Sequence, residues 1–304
     1  MRVEAAHEHF VSSTERASVA LGGADVEPIE PPDAVLYAVL DDIRNTLGVA
    51  WLDPTFRAIA SDPLFVIAAW AATRPNVTKS FAESAGRLRK AALEHVESAL
   101  KPPDHRLVVQ ELLKAEDADR LIRTVRAMHH GLPKVYLVLQ AWARLARRQR
   151  IPGTGREEVP ARRGIPPWQE GVLVPGSASP EAREMLEDAT ERLEVPTVPS
   201  SLFALAPAPA YLERACEDVL RAAKSQAWHQ GAVALRRSVT SGIESFPHPM
   251  ELQWDALAAR GLSDERRGLL VEELRDAAAT MPIAVLIATY LCVALGGPEA
   301  ATES

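Results

Sequence analysis

The chain has 304 residues, of which 47% are apolar and 25% are charged, and its formal net charge is −7. This length allows one large core or two ordinary domains, and the composition is typical of a globular protein rather than of a disordered one. The negative charge offers no basic surface to a polyanion, so nucleic acid is not expected as a partner.

The chain carries no sequence signal for a metal site, for secretion or for a membrane span. Cys216 and Cys292 are isolated, which argues against a zinc site or a disulfide framework. Charged and His side chains occupy the start of the chain, where a secretory signal needs an apolar core, so we expect a cytoplasmic protein. Residues 277–298 are uncharged and long enough to span a bilayer, but Pro282 and several alanines favour a buried core helix.

Helical patterns dominate the first half of the chain, and no long alternating pattern of the strand type occurs. Residues 1–32 end in a proline cluster and are interpreted as a lead-in. Asp33 is a candidate N-cap, and the pairs Asp53-Pro54 and Asp62-Pro63 predict two short helices. Pro133 is expected to begin a new helix, because proline disfavours helix interiors. The predicted helices of this half begin near residues 33, 54, 63, 78, 106, 117 and 133.

The second half of the chain resembles the first. Residues 150–179 are rich in Pro and Gly and predict a linker, after which helical patterns resume at Pro180. An offset of 146 residues places Asp42 on Asp188 without a gap, and an offset of 149 places Leu132-Pro133 on Met281-Pro282. The sequence therefore predicts an all-α pseudo-dimer of two tandem helical repeats, 33–149 and 180–298.

The junction of two such repeats is the natural place for a pocket, and three groups of residues are candidates for it. Trp51 precedes a predicted helix and is equally interpretable as a core side chain. Arg126 and Arg275 match across the repeats and suit a carboxylate, although two solvated helix faces are the simpler interpretation. His129-His130 suit acid–base chemistry, but a helix-capping role is the simpler alternative.

Three stretches carry a resemblance to a known family: residues 41–51, Ala69-Trp70 and residues 130–134. They are similar to landmarks of the group I 2-haloacid dehalogenases, the type that acts on both D- and L-substrates. The resemblance implies two helical repeats, similar to the alkyl-hydroperoxidase D type, with the active site between them. It also implies an Asp that activates water to displace halide at C2 of a small acid, without a covalent ester.

The polar residues of the site depart from the family pattern. The family's Asp follows a Ser at the start of a helix in the second repeat, and the matching dipeptide here is Ser200-Ser201, so Ser201 stands in its place. A serine hydroxyl cannot replace a carboxylate base. The family's Asn-Tyr is His129-His130 here. The departures predict that the chain releases no halide from either enantiomer of 2-chloropropionate.

The leading hypothesis is a divergent member that binds a small organic acid between its repeats, without metal or cofactor. A carboxylate would dock at the backbone N–H groups of residues 202 and 203. A non-catalytic binding protein is the second hypothesis. A true dehalogenase with a relocated base, nearest to Asp53, is the third. A homodimer is one possible assembly. The candidate catalytic residues are His130, His129 and Ser201, and the candidate binding residues are Trp51, Thr55, Arg126, Ser200, Leu202 and Arg275.

Overall fold

The regular structure of the chain is helical. The computed structural model describes residues 34–161, 164–166, 169, 171–173 and 178–296. Within these ranges there are no strands, only the isolated bridges Thr78–Pro160 and Ile151–Met250. The predicted all-α class is therefore confirmed. The predicted N-cap Asp33 and the lead-in 1–32 lie outside the described residues.

Twelve α-helices form the described chain. The first half contains α1 Ala34–Leu47, α2 Pro54–Ala58, α3 Pro63–Thr73, α4 Lys79–His95, α5 Arg106–Leu112 and α6 Ala115–Ala146. Shorter helical turns follow α2, α3 and α4, at Ile59–Ser61, Arg74–Asn76 and Val96–Leu100. The second half contains α7 Pro180–Arg192, α8 Ser200–Phe203, α9 Pro209–Ala223, α10 Gln226–Glu244, α11 Trp254–Ala259 and α12 Asp264–Gly296.

The helices of the second half begin at a nearly constant distance along the chain from those of the first. The starts of α7, α8 and α9 lie 146 residues after those of α1, α2 and α3. The distance is 147 residues for α10 and α4, 148 for α11 and α5, and 149 for α12 and α6. Helix order and spacing thus follow the sequence offsets through both halves.

The prediction that Pro133 begins a new helix is wrong. Helix α6 runs without a break from Ala115 to Ala146 with Pro133 inside it, and α12 likewise contains Pro282. An interior proline removes the hydrogen bond to the carbonyl four residues earlier, which costs about 3 kcal/mol. Burial of apolar side chains along both flanks of Pro133 outweighs that loss, because each buried Leu or Val contributes about 1.5–3 kcal/mol.

The centre of the fold is the packing of α6 against α12, which are the longest helices of the two halves. Helices α4 and α10 pack together beside them. Trp142 of α6 is fully buried, lies edge-on to Phe56 and Phe65, and donates its indole N–H to the Thr73 hydroxyl at 2.8 Å. Helix α12 is long and apolar enough to cross a membrane, but 83% of its most apolar window is buried in the fold, as expected for a core helix.

The described part of the predicted linker, 150–179, is irregular and lies against both halves. Ile151 bridges Met250, and the Thr154 N–H donates to the Phe246 carbonyl at 2.8 Å. On the other half, the Lys79 N–H donates to the Val159 carbonyl at 3.1 Å. The linker therefore packs on the two helical halves, whose predicted boundaries at 149 and 180 stay a prediction.

A buried histidine also connects the two halves. His105, just before α5, contacts the Tyr211 hydroxyl through Nδ1 at 3.0 Å and Asp218 through Nε2 at 2.9 Å. All three side chains are essentially inaccessible to solvent. An ionised Asp218 only accepts, so Nε2–H donates to it and Nδ1 accepts from Tyr211, which leaves the imidazole neutral. Burial lowers the pKa of His105, and the opposing effect of Asp218 is smaller.

This neutral His105 predicts a loss of stability in weak acid. The unfolded chain binds a proton on this imidazole with a pKa near 6.5, above that of the folded chain, so the free energy of unfolding falls as the pH drops below about 6.5. We expect His105→Gln to reduce that slope, although it lowers overall stability. Urea unfolding midpoints between about pH 7.5 and 5.5 measure the effect.

His229→Gln is the matched control, because this imidazole belongs to an exposed residue and contacts only the Ser225 carbonyl at 3.0 Å. Its slope should equal that of the unchanged protein. Identical slopes for His105→Gln and the unchanged protein would contradict the assignment of this pH dependence to His105.

Candidate functional site

A small cavity lies where the two halves meet, and we call it the junction cavity. Its volume is about 20 Å³, which is room for roughly one water molecule. The segment between α1 and α2, α6 and α8 all contribute to its wall, so both halves form it. The lining residues are Val49, Ala50, Trp51, Asp53, Ala127, Met128, Gly131, Leu132, Val135 and Ser200.

Asp53 is the one ionisable side chain in the lining of the junction cavity. It is 5% exposed and caps α2: its Oδ1 accepts from the Thr55 N–H at 3.0 Å and from the Thr55 hydroxyl at 2.7 Å. Its Oδ2 is buried and has no hydrogen-bond partner among the described residues. Asp53 therefore keeps one carboxylate oxygen available, while Thr55 fixes the orientation of the group. Thr55, predicted to bind substrate, instead positions Asp53.

The two serines of α8 are buried at the same junction. Ser200 lines the cavity, Ser201 is fully buried beside it, and neither hydroxyl has a hydrogen-bond partner among the described residues. The predicted carboxylate site at the N–H groups of Leu202 and Phe203 is wrong. Both groups donate to the Pro199 carbonyl, at 2.9 and 3.0 Å, because α8 is only four residues long and closes on its own first turn.

His129 and His130 lie inside α6, so the expectation that they stand at a helix boundary is wrong. The Thr289 hydroxyl donates to the Val285 carbonyl at 2.9 Å, so His129 Nδ1–H donates to Thr289 at 3.1 Å. His130 Nδ1 contacts the guanidinium of Arg89. Since arginine only donates, His130 is an acceptor at Nδ1 and carries its proton on Nε2. A neutral His130 with this tautomer does not suit the predicted role of base.

The two arginines predicted to share a site lie apart from the cavity lining. Arg275 is exposed and pairs with the adjacent Asp276 at 3.0 Å, so its predicted role in the pocket is wrong. Arg126 lies near Cys292 of α12: burial raises the pKa of that thiol to about 12, against the opposing charges of Arg126 and Arg89. Leu202 is a fully buried core residue and is not in the cavity wall.

Residues 48–53, which we call the exit loop, carry Trp51 and Asp53 to the cavity. The loop begins with Gly48 in the left-handed region, with φ of +60°, and the Val49 N–H returns to the Arg44 carbonyl at 3.1 Å. The last carbonyls of α1 bind side chains from elsewhere: Lys134 Nζ donates to the Leu47 carbonyl at 2.8 Å and Gln169 Nε2 to the Gly48 carbonyl at 3.2 Å. These contacts fix the direction of the exit loop.

A larger cleft, about 270 Å³, lies at the far end of α6 beside Arg148, Glu251 and Trp254. Its charged groups already serve each other or neighbours, since Arg148 approaches Asp264 at 3.5 Å and Glu251 approaches Arg150 at 3.8 Å. The junction cavity is smaller, but it combines a buried carboxylate oxygen and a buried hydroxyl without partners. It is therefore the better candidate site. No group of three His, Cys, Asp or Glu side chains among the described residues has an arrangement that could hold a metal ion.

Comparisons with known proteins agree with the resemblance stated above. The chain is 25% identical over 278 residues to a configuration-inverting 2-haloacid dehalogenase of Pseudomonas sp. (strain 113), covering 87% of this chain and 88% of that one. The chain is a distant member of the group I 2-haloacid dehalogenase family. No family model matches it.

Solved structures of this dehalogenase type share the fold. A D-2-haloacid dehalogenase mutant in complex with D-2-CPA has a TM-score of 0.74 at 19% identity, covering 90% of this chain and 96% of that chain. A D-2-haloacid dehalogenase in complex with L-LA has a TM-score of 0.75 at 18% identity, covering 90% and 97%. At this identity the likeness establishes the architecture of the dehalogenase-like chain and leaves its chemistry to the site residues.

Sequence reasoning found part of this dehalogenase-like site. Trp51 and Ser200 lie in the cavity wall as predicted, whereas His129, His130 and Ser201 are buried neighbours of wall residues. Asp53 was named only as the nearest substitute for a lost base, and the cap signal Asp53-Pro54 is what marked it. The roles of Lys134 and Gln169 were missed, because their partners are backbone carbonyls 87 and 121 residues away in the chain.

The exit loop predicts a specific sensitivity at Gly48. A Cβ added there would lie 2.8 Å from the Gly164 carbonyl oxygen, and its φ of +60° disfavours any L side chain. We expect Gly48→Ala to lower the free energy of unfolding by about 1–3 kcal/mol. Chemical denaturation measures this loss.

Gly86→Ala is the control, because Gly86 lies inside α4 and an added Cβ meets nothing within 4 Å. This substitution should stabilise the chain by about 0.4–1 kcal/mol. Equal effects at the two glycines would mean that the geometry of the exit loop does not constrain residue 48.

Proposed function

We propose that the chain binds a small 2-substituted carboxylic acid at the junction cavity and hydrolyses it without metal, with Asp53 as the base that activates water. The observation that carries this proposal is the buried Oδ2 of Asp53, which has no partner among the described residues and belongs to a side chain in the wall of a water-sized cavity. A general base needs such an oxygen within hydrogen-bond reach of the water that it deprotonates.

The proposed reaction is a direct displacement at C2. A water held between Asp53 Oδ2 and the Ser200 hydroxyl attacks C2 of the acid, and its proton passes to Asp53. A carbon–oxygen bond forms as the bond from C2 to the leaving group breaks, and a halide departs with the electron pair. The products are the 2-hydroxy acid, the halide and one proton, which Asp53 returns to solvent. Attack opposite the leaving group inverts C2, as the name of the Pseudomonas relative states for that enzyme.

The size of the junction cavity constrains how the acid enters. A space of about 20 Å³ accommodates the water but not the acid. Trp51 is half-exposed at the edge of the cavity, so we propose that its side chain moves when the acid binds. Closure over the acid then excludes bulk water, which strengthens the interaction of Asp53 with the attacking water.

We infer that the two halves are a duplicated module, as the recurring helix starts at 146 to 149 residues indicate. In this register Ser201, at the position of the family's Asp, corresponds to Thr55, which holds Asp53. The carboxylate thus belongs to the first half of the pseudo-symmetric junction rather than the second. Superposition of residues 35–149 on 181–298 tests the duplication, because at least four helices must then align in order.

A non-catalytic binding protein is the second candidate. It is favoured by Ser201, which offers no carboxylate at the family's position, and by the small volume of the junction cavity. A cytoplasmic location, a homodimer and the absence of nucleic-acid binding stay predictions.

The first functional test replaces the proposed base. Asp53→Asn keeps the cap of α2, because Asn and Asp are equivalent N-caps, but removes the basic oxygen. We expect halide release from at least one enantiomer of 2-chloropropionate by the unchanged protein, and a loss of about 100-fold or more in kcat for Asp53→Asn. Halide is measured by ion chromatography and the configuration of the lactate product by chiral separation.

Asp62→Asn is the matched control. Asp62 also precedes a proline at a helix start and is 7% exposed, but it binds Arg266 at 2.9 Å and does not line the cavity. Its halide release should stay close to that of the unchanged protein. If the unchanged protein binds 2-chloropropionate but releases no halide, the binding protein is the correct alternative.

A second substitution distinguishes the two positions for the base. Ser201→Asp places a carboxylate where the hydroxyl is fully buried and has no partner among the described residues. We expect little gain in halide release and a lower thermal midpoint, because a buried charge without supporting donors is destabilising. A large gain in Ser201→Asp, together with no effect of Asp53→Asn, would show that position 201 is the site of the base.

A further inference from the structure

Lys134 is a half-buried lysine immediately behind the exit loop. It lies on α6, one turn after His130, and its Nζ donates to the Leu47 carbonyl at 2.8 Å. A Cβ placed on Gly48 would lie 3.8 Å from this Nζ. Because Val49 and Val135, the next residues along the two segments, both line the junction cavity, Lys134 stands directly behind the wall of that cavity.

The surroundings of Lys134 lack negative charge. Lys134 forms no ion pair with any carboxylate of the described residues, and its hydrogen bond is to a backbone carbonyl. Burial, and after it the charge of Arg89, lower the pKa of Lys134 to about 8. A partly buried ammonium usually has an anionic partner, since removing the charge from water is otherwise unfavourable.

We propose that Lys134 is the positioning and charge-selecting residue of the junction cavity: it holds the exit loop and makes the cavity select a carboxylate over an uncharged analogue. This inference rests on the proposed function for the identity of the site. Selection arises because an anionic ligand beside Asp53 experiences repulsion, which a fixed positive charge behind the loop offsets.

The charged groups that face Lys134 support the same sign of selection. Arg89, on α4, is the charged group that acts on Lys134, and it is positive. His130, on the same helix, is a neutral acceptor toward Arg89. The ammonium of Lys134 also lies at the C-terminal end of α1, where the helix dipole favours a cation. Lys134 is therefore held as a cation near neutral pH, with its charge close to the exit loop.

The test compares L-lactate with its uncharged amide, lactamide, on the full-length protein. Lys134→Gln removes the charge but keeps an N–H donor, whereas Lys134→Met removes both. We expect Lys134→Gln to weaken L-lactate binding by about 10-fold and to change lactamide binding by less than about 2-fold. Lys134→Met should weaken both ligands, because the exit loop loses its anchor. Isothermal titration calorimetry measures the dissociation constants.

Two further measurements separate charge selection from a loss of fold. In the unchanged protein, affinity for L-lactate should fall as the pH rises through about 8, where Lys134 loses its proton, and Lys134→Gln should not show this fall. Lys134→Arg keeps the charge and should retain the preference for L-lactate. Lys90→Gln is the surface control, because the Lys90 side chain is 76% exposed and pairs with Glu94. Its affinities should be unchanged.

Three outcomes would overturn the inference. Equal L-lactate affinity in Lys134→Gln and the unchanged protein would remove charge selection, and halide release in that protein would leave the proposed function standing. An equal loss of L-lactate and lactamide binding in Lys134→Gln would assign Lys134 a purely structural role. No binding of L-lactate and no halide release by the unchanged protein would contradict the proposed function itself, and the inference with it.

Discussion

The fold depends on the contact between α6 and α12. Each helix has 32 or 33 residues, each is buried over most of its length, and each keeps a proline in its interior. Because these two helices come from different halves, their packing joins the halves along one continuous apolar surface. It also brings α8, which contacts α12, against α6, so the junction cavity exists only where this packing is complete.

The sequence predicted the helices well where local signals and packing agree. Caps, prolines and apolar spacing located the starts of α2, α3 and α4 to within one residue, and the offsets between the halves recur in the helix starts. The prediction failed at Pro133, where the local rule for proline opposes tertiary burial. Helix α6 stays continuous because its apolar contacts outweigh one lost hydrogen bond, and a sequence pattern contains no measure of those contacts.

The candidate site was less predictable, since its chemistry depends on partners far away in the chain. The tautomer of His129 follows from Thr289, and the neutral state of His130 follows from Arg89. Neither could be inferred from the adjacent histidines alone. Arg126 and Arg275 matched in sequence, but matching positions in two halves need not point to the same space, and Arg275 faces solvent beside Asp276.

The unusual feature of this family member is the redistribution of charge around a conserved junction. The position of the family's Asp carries Ser201, which has no charge, while Asp53 offers a free buried oxygen on the opposite side of the pseudo-symmetric junction. A buried carboxylate beside an anionic substrate is unfavourable unless a cation stands nearby. Lys134 provides that cation and at the same time anchors the loop that carries Asp53. A move of the base to the first half therefore requires Lys134 and Asp53 to act as one unit, so their substitutions should not be additive in catalysis.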